Sequence, residues 1–60
     1  MHDWIYVDEY KPPTNMKVEV LCDGGQFAGK WAQTADFIDG HFYYQDINLD
    51  KEVYAWRYIN

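Results

Sequence analysis

The residues best equipped for chemistry in this 60-residue chain are one cysteine, two histidines and ten carboxylates. Cys22 and His41 offer a nucleophile and a base. No motif supplies the third group that would orient the imidazole or activate the thiol, and both residues fall in stretches that read as strand. Asp36, Asp39, Asp46, Asp50 and Glu52 crowd the C-terminal part of the chain. Two of them acting as general acid and base would need a cleft that separates their pKa values, and a sheet this small leaves little volume for one. Asp46-Ile47-Asn48-Leu49-Asp50 opens like a calcium loop, with oxygen ligands at positions 1, 3 and 5. Lys51 then stands where the sharp turn requires glycine, and Arg57 where the bidentate carboxylate belongs. Gly24 to Lys30 is glycine-rich with a terminal lysine, but it does not complete the G-x-x-x-x-G-K-[ST] motif and no helix is expected after it. A structural zinc site takes four ligands, and His2, Cys22 and His41 provide three. The expectation is therefore a non-enzymatic protein with no metal and no cofactor.

The elements that must position these groups are marked by their punctuation. Pro12-Pro13 interrupts regular structure. Asp23-Gly24-Gly25 and Asp39-Gly40 are hairpin signals, because type I′ turns need positive φ at both central residues. Between these marks lie short runs of Val, Ile, Phe, Tyr and Trp, which predict strands at 4–7, 17–22, 26–32, 35–38, 41–44 and 53–59. Single helical turns are allowed at 7–11 and 46–53. The fold class is all-β: a single small domain over 1–60, an antiparallel meander of about five short strands with room for one helical turn.

Side-chain parity then assigns faces. A two-residue turn at Asp23-Gly24 pairs Val20 with Phe27, and one at Gly24-Gly25 pairs Cys22 with Phe27. Both put Val18, Val20, Cys22, Phe27 and Trp31 on one face. In the second hairpin Asp39-Gly40 pairs Ile38 with His41 and Phe37 with Phe42. Ala35, Phe37, Phe42 and Tyr44 then share the core face, and Asp36, Ile38, His41 and Tyr43 the other. The predicted core is Val18, Val20, Phe27, Trp31, Phe37, Phe42 and Trp56.

Composition bounds the function. Ten Asp/Glu against five Lys/Arg give a formal charge of −5, which repels phosphates and anionic lipid, so neither nucleic acid nor membrane is an expected partner. The first ten residues carry Asp3, Asp8 and Glu9 where a leader requires basic and then apolar residues, so no signal peptide is expected. A single cysteine suits a reducing, cytoplasmic location and excludes an internal disulfide. A chain this short needs dense packing or self-association to be stable, and aromatic residues at 20% provide the packing. Surplus Tyr and Trp would serve as anchors for a protein partner or as a platform for a small ligand or carbohydrate.

Trp4-Ile5-Tyr6-Val7-Asp8-Glu9, then Pro12-Pro13, then Val18-Glu19-Val20-Leu21, resembles the "W-I-x-V-x-E…P-P…V-L-V" opening of a short phage and bacterial family, domain of unknown function 551. Val53 and Trp56 are similar to its closing "V-T-H-W-M-P-L-P", with Arg57-Tyr58 in place of M-P. The resemblance implies a phage or prophage accessory protein with no assigned activity and no catalytic residues. Taken together, these readings point to binding of a protein partner with a basic surface, inhibition of a host enzyme or defence complex being one such role. The partner-binding residues would be Asp36, His41, Tyr43, Asp46 and Asp50: Tyr43 as anchor, the acids steering. The sequence leaves homo-oligomerisation open.

Overall fold

The computed structural model describes residues 3–59, so His2 lies outside the described residues. One six-stranded antiparallel sheet forms the molecule: β1 (Ile5–Tyr6), β2 (Met16–Asp23), β3 (Lys30–Ile38), β4 (His41–Tyr44), β5 (Ile47–Asn48) and β6 (Val53–Tyr58), in the order β1-β6-β2-β3-β4-β5. Strands β2 to β5 run as a meander. β6 returns to the free side of β2, and β1 pairs with β6, so the two shortest strands occupy the two edges. Short edges limit the unpaired backbone available to another chain.

Alternation along β2 explains the core. Val18, Val20 and Cys22 are fully buried, and they face Ala35, Gln33 and Trp31 of β3 across the ladder. Phe37 and Phe42 meet at 5.0 Å with tilted rings. Leu49, Val53 and Trp56 complete the cluster, with Ile5, Val7, Met16 and Trp31 packed at its margin. The sheet is rolled rather than flat. Leu49 donates its N–H to the Phe42 carbonyl and accepts from Val53 N–H, bridging β4 to β6 although β2 and β3 lie between them. From the other side the segment before β2 closes over Trp56, whose indole Nε1 donates to the Tyr10 carbonyl at 2.9 Å. Pro12 of that segment is buried. Its backbone turns once after β1, with Glu9 and Tyr10 N–H both directed at the Tyr6 carbonyl.

The expected first hairpin is corrected. Residues 26–28 are not strand: Gly25–Ala28 forms a single helical turn, α1, and the two expected strands 26–32 and 35–38 merge into the continuous β3. Gly25 and Gly29 adopt φ of 79° and 70°, the Asp23 carboxylate accepts Gly25 N–H, and Gly24 N–H bonds the Gly29 carbonyl. Those local bonds outcompete the tight turn. Cys22 therefore pairs with Trp31 rather than Phe27. The shift is an even number of residues, so Trp31 keeps its expected face, whereas Phe27 leaves the sheet and is 95% exposed. Gly24 has a steric role here, since a Cβ on it would lie 2.4 Å from the Ala28 Cβ and 2.9 Å from the Trp31 ring.

The second hairpin matches its expectation pair for pair: Ile38 with His41, Phe37 with Phe42 and Asp36 with Tyr43. Asp39 and Gly40 take φ of 52° and 89°, as a type I′ turn requires.

Candidate functional site

The type I′ turn at Asp39-Gly40 fixes which side chains face outward from β3 and β4. Asp36 stands opposite Tyr43, and Ile38 opposite His41. A second tight turn follows at Gln45-Asp46, both residues at positive φ (49° and 68°), and pairs Tyr44 with Ile47 and Tyr43 with Asn48. This turn brings Gln45 and Asp46 back beside Tyr43. The result is an outer-face depression of about 390 Å³ lined by Asp36, Ile38, Tyr43, Gln45 and Asp46. Among the described residues, the ion pairs are His41–Asp50 and Arg57–Glu19, so the Asp36 and Asp46 carboxylates meet no cation of their own chain. Ile38, in the lining of the depression, remains 43% exposed.

Three of the five expected binding residues, Asp36, Tyr43 and Asp46, thus converge on one depression. The other two pair with each other. His41 Nδ1 lies 2.6 Å from Asp50 Oδ2, while Asp50 Oδ1 accepts the Phe42 N–H at 2.8 Å. Asp50 also receives Asn48 Nδ2 on its carboxylate, and its own N–H donates to Asn48 Oδ1. Partial burial pushes the Asp50 carboxyl up. The Phe42 N–H, His41 and Asn48 outweigh that and hold it below its ordinary value of 3.8. Asp50 therefore braces the end of β4 against the turn that carries Leu49. His41 borders the depression, opposite Ile38 and with its ring centroid 6.3 Å from that of Tyr43 in an edge-on arrangement.

Ile38, on the expected face, and Gln45 both line the depression without having been assigned to it. The tight turn that places Gln45 contains no glycine, so the sequence carries only Asp46, a residue tolerant of the left-handed region, as its mark.

Cys22 is fully buried on the core face, and His41 points outward, so the two lie on opposite sides of the sheet. Burial, and secondarily the Glu52 charge, raise the Cys22 thiol pKa, keeping it protonated and unreactive. Asp46, Asn48 and Asp50 do not wrap a common centre, because Asp46 sits in the turn and Asp50 is bonded to His41 and Phe42. Lys30 opens a strand rather than a helix. Among the described residues no three His, Cys, Asp or Glu side chains come together as a metal site, and no helix is long and apolar enough to cross a membrane.

A second outer-face cluster lies over β1 and β6. Tyr6 and Tyr54 stack at 6.5 Å, Lys30 Nζ sits 5.5 Å from the Tyr54 centroid, and the Arg57 guanidinium lies 4.2 Å over Trp4. Arg57 Nε also donates to Glu19 Oε1 at 2.7 Å. Ala55, fully buried but outside the main cluster, lies on this outer side, facing Leu21 and Tyr6 across the ladders. Here the aromatic rings already hold cations of the same chain.

No protein-family model matches the chain, and neither does any curated protein or any solved structure.

Proposed function

We propose that this is a non-enzymatic protein that works by binding another protein through the outer face of β3, β4 and the turn after β4. One observation carries the reading: exposed Ile38 and the Tyr43 ring share a depression with two carboxylates that form no ion pair among the described residues. Tyr43 is the anchor, because an aromatic ring supplies large contact area at small entropic cost. Asp36 and Asp46 steer a basic partner surface, an effect that acts on encounter and is screened by salt. The charge of −5 supports the same choice of partner. The likeness to domain of unknown function 551 supports a phage or prophage accessory role in the cytoplasm, with a host enzyme or defence complex as the inhibited target. Carbohydrate binding is the weaker reading, since Arg57 and Lys30 already cover ring faces of Trp4 and Tyr54. The test is comparative capture from bacterial lysate with the tagged protein and its Tyr43→Ala variant. A partner enriched by the first and lost by the second is expected; equal capture by both contradicts the assignment of this face.

A further inference from the structure

We propose that the depression beside Tyr43 is a seat for an arginine side chain projecting from a basic segment of the partner, an inference that rests on the protein-binding reading above. Asp36 and Tyr43 are directly opposed on β3 and β4, so their Cβ atoms stand about 4.5–5.5 Å apart. A planar cation laid on the Tyr43 ring has the Asp36 carboxylate at its edge. Ile38 lies two residues along the same face of β3, in position to receive the aliphatic stem. Asp46, from the turn, lines the same depression with Gln45, and can take the remaining guanidinium N–H groups. Lys17 faces Asp36 from β2, yet no ion pair joins them among the described residues.

The molecule already builds such a seat once. On the other outer-face cluster the Arg57 guanidinium lies 4.2 Å over Trp4 while its Nε donates to Glu19 at 2.7 Å. There an aromatic ring and a carboxylate hold an arginine of the chain itself. Tyr43 and Asp36 repeat the pairing with no Lys or Arg among the five residues lining the depression. Arginine fits better than lysine for two reasons. Its flat guanidinium stacks on a ring, and its fork matches a carboxylate in two parallel bonds, whereas an ammonium is a point charge that holds its water.

The experiment is amide-resonance mapping on the full chain, titrated with a twelve-residue peptide of alternating Arg and Gly. Matched peptides carry Lys or uncharged citrulline in place of Arg. The expected result is perturbation centred on residues 36–38 and 43–46 by the Arg peptide, none by the citrulline peptide, and weaker binding of the Lys peptide. Tyr43→Leu should lower affinity for the Arg peptide about two- to five-fold, the worth of a cation on an exposed ring, and narrow the preference over Lys to what the carboxylates alone provide. Tyr43→Phe keeps the ring and should keep the preference, which separates recognition from any folding defect. Equal affinity for Arg and Lys peptides, or perturbation centred elsewhere, overturns the proposal. That outcome is distinguishable from failure of the broader reading, which fails when Tyr43→Ala captures the same partner as the unaltered protein.

Discussion

Asp50 shows how one side chain can look like surface charge and act as structure. From the sequence it belongs to a run of acids after the second hairpin. In the fold its two oxygens take the Phe42 N–H and the His41 ring, tying β4 to the turn that carries buried Leu49. Because its carboxyl is held below 3.8, the folded state favours the ionised form. The resulting stability is complete above that ordinary value and is lost as pH falls through the lower folded value. Asp50→Asn should lose about 1–2 kcal/mol at neutral pH, the scale of a charge-assisted bond partly open to water. Its stability should also fall less steeply than the parent's below about pH 4. Denaturant midpoints across pH 2–7 check both. Cys22 is the opposite case: chemically the most reactive type in the chain, it is buried near the end of β2 and serves as a small apolar side chain.

Among the elements, the two tight turns after β3 and β4 do the positioning, and they differ in how well the sequence suits them. Asp39-Gly40 has the composition that a type I′ turn wants. Gln45-Asp46 adopts positive φ at both positions with no glycine, and a glutamine in the left-handed region costs about 1 kcal/mol. Gln45→Asn should recover part of that, raising the melting temperature by a few degrees with an unchanged denaturant slope, on the scale of about 4–8 °C per kcal/mol for a domain this size. The same contrast explains what the sequence made legible. The Asp39-Gly40 hairpin, its register and its two faces could be read, because alternation and turn chemistry agreed. β5 could not, being two residues long after a turn without its usual signature. The loop at 24–29 departs from the expected hairpin because three glycines permit several closures, and the Asp23 side chain and local backbone bonds select one that ejects Phe27. Of the site, the cross-strand set Asp36, Ile38, His41 and Tyr43 was visible by parity. The pairing of His41 with Asp50 was not, since it depends on how the chain returns from β5 to β6.

For the whole molecule, the consequence is a small rolled sheet with one core and an outer face that carries the proposed binding depression. A core this size supplies roughly 3–5 kcal/mol of net stability, and truncating a buried Phe costs about 3–5 kcal/mol. Phe42→Ala, 3% exposed in the parent, should therefore be largely unfolded by circular dichroism. Phe27→Ala should melt with the parent, because its ring packs on nothing. The separation of core from outer face allows the function to be probed without disturbing the fold. Asp36→Asn and Asp46→Asn remove the proposed steering charges, and Tyr43→Ala removes the proposed anchor. Charge effects at this range reside in association and fade with salt, while anchors act on dissociation. The decisive measurement is surface-immobilised kinetics of these variants against the captured partner at low and at high salt. The account predicts association slowed several-fold by the double Asp variant at low salt and little at high salt, dissociation of that variant hastened at both because its carboxylates also bond the guanidinium, and dissociation hastened by Tyr43→Ala at both. Unchanged rates for all variants at every salt concentration would contradict it, and would leave the acids with no role beyond keeping the protein in solution.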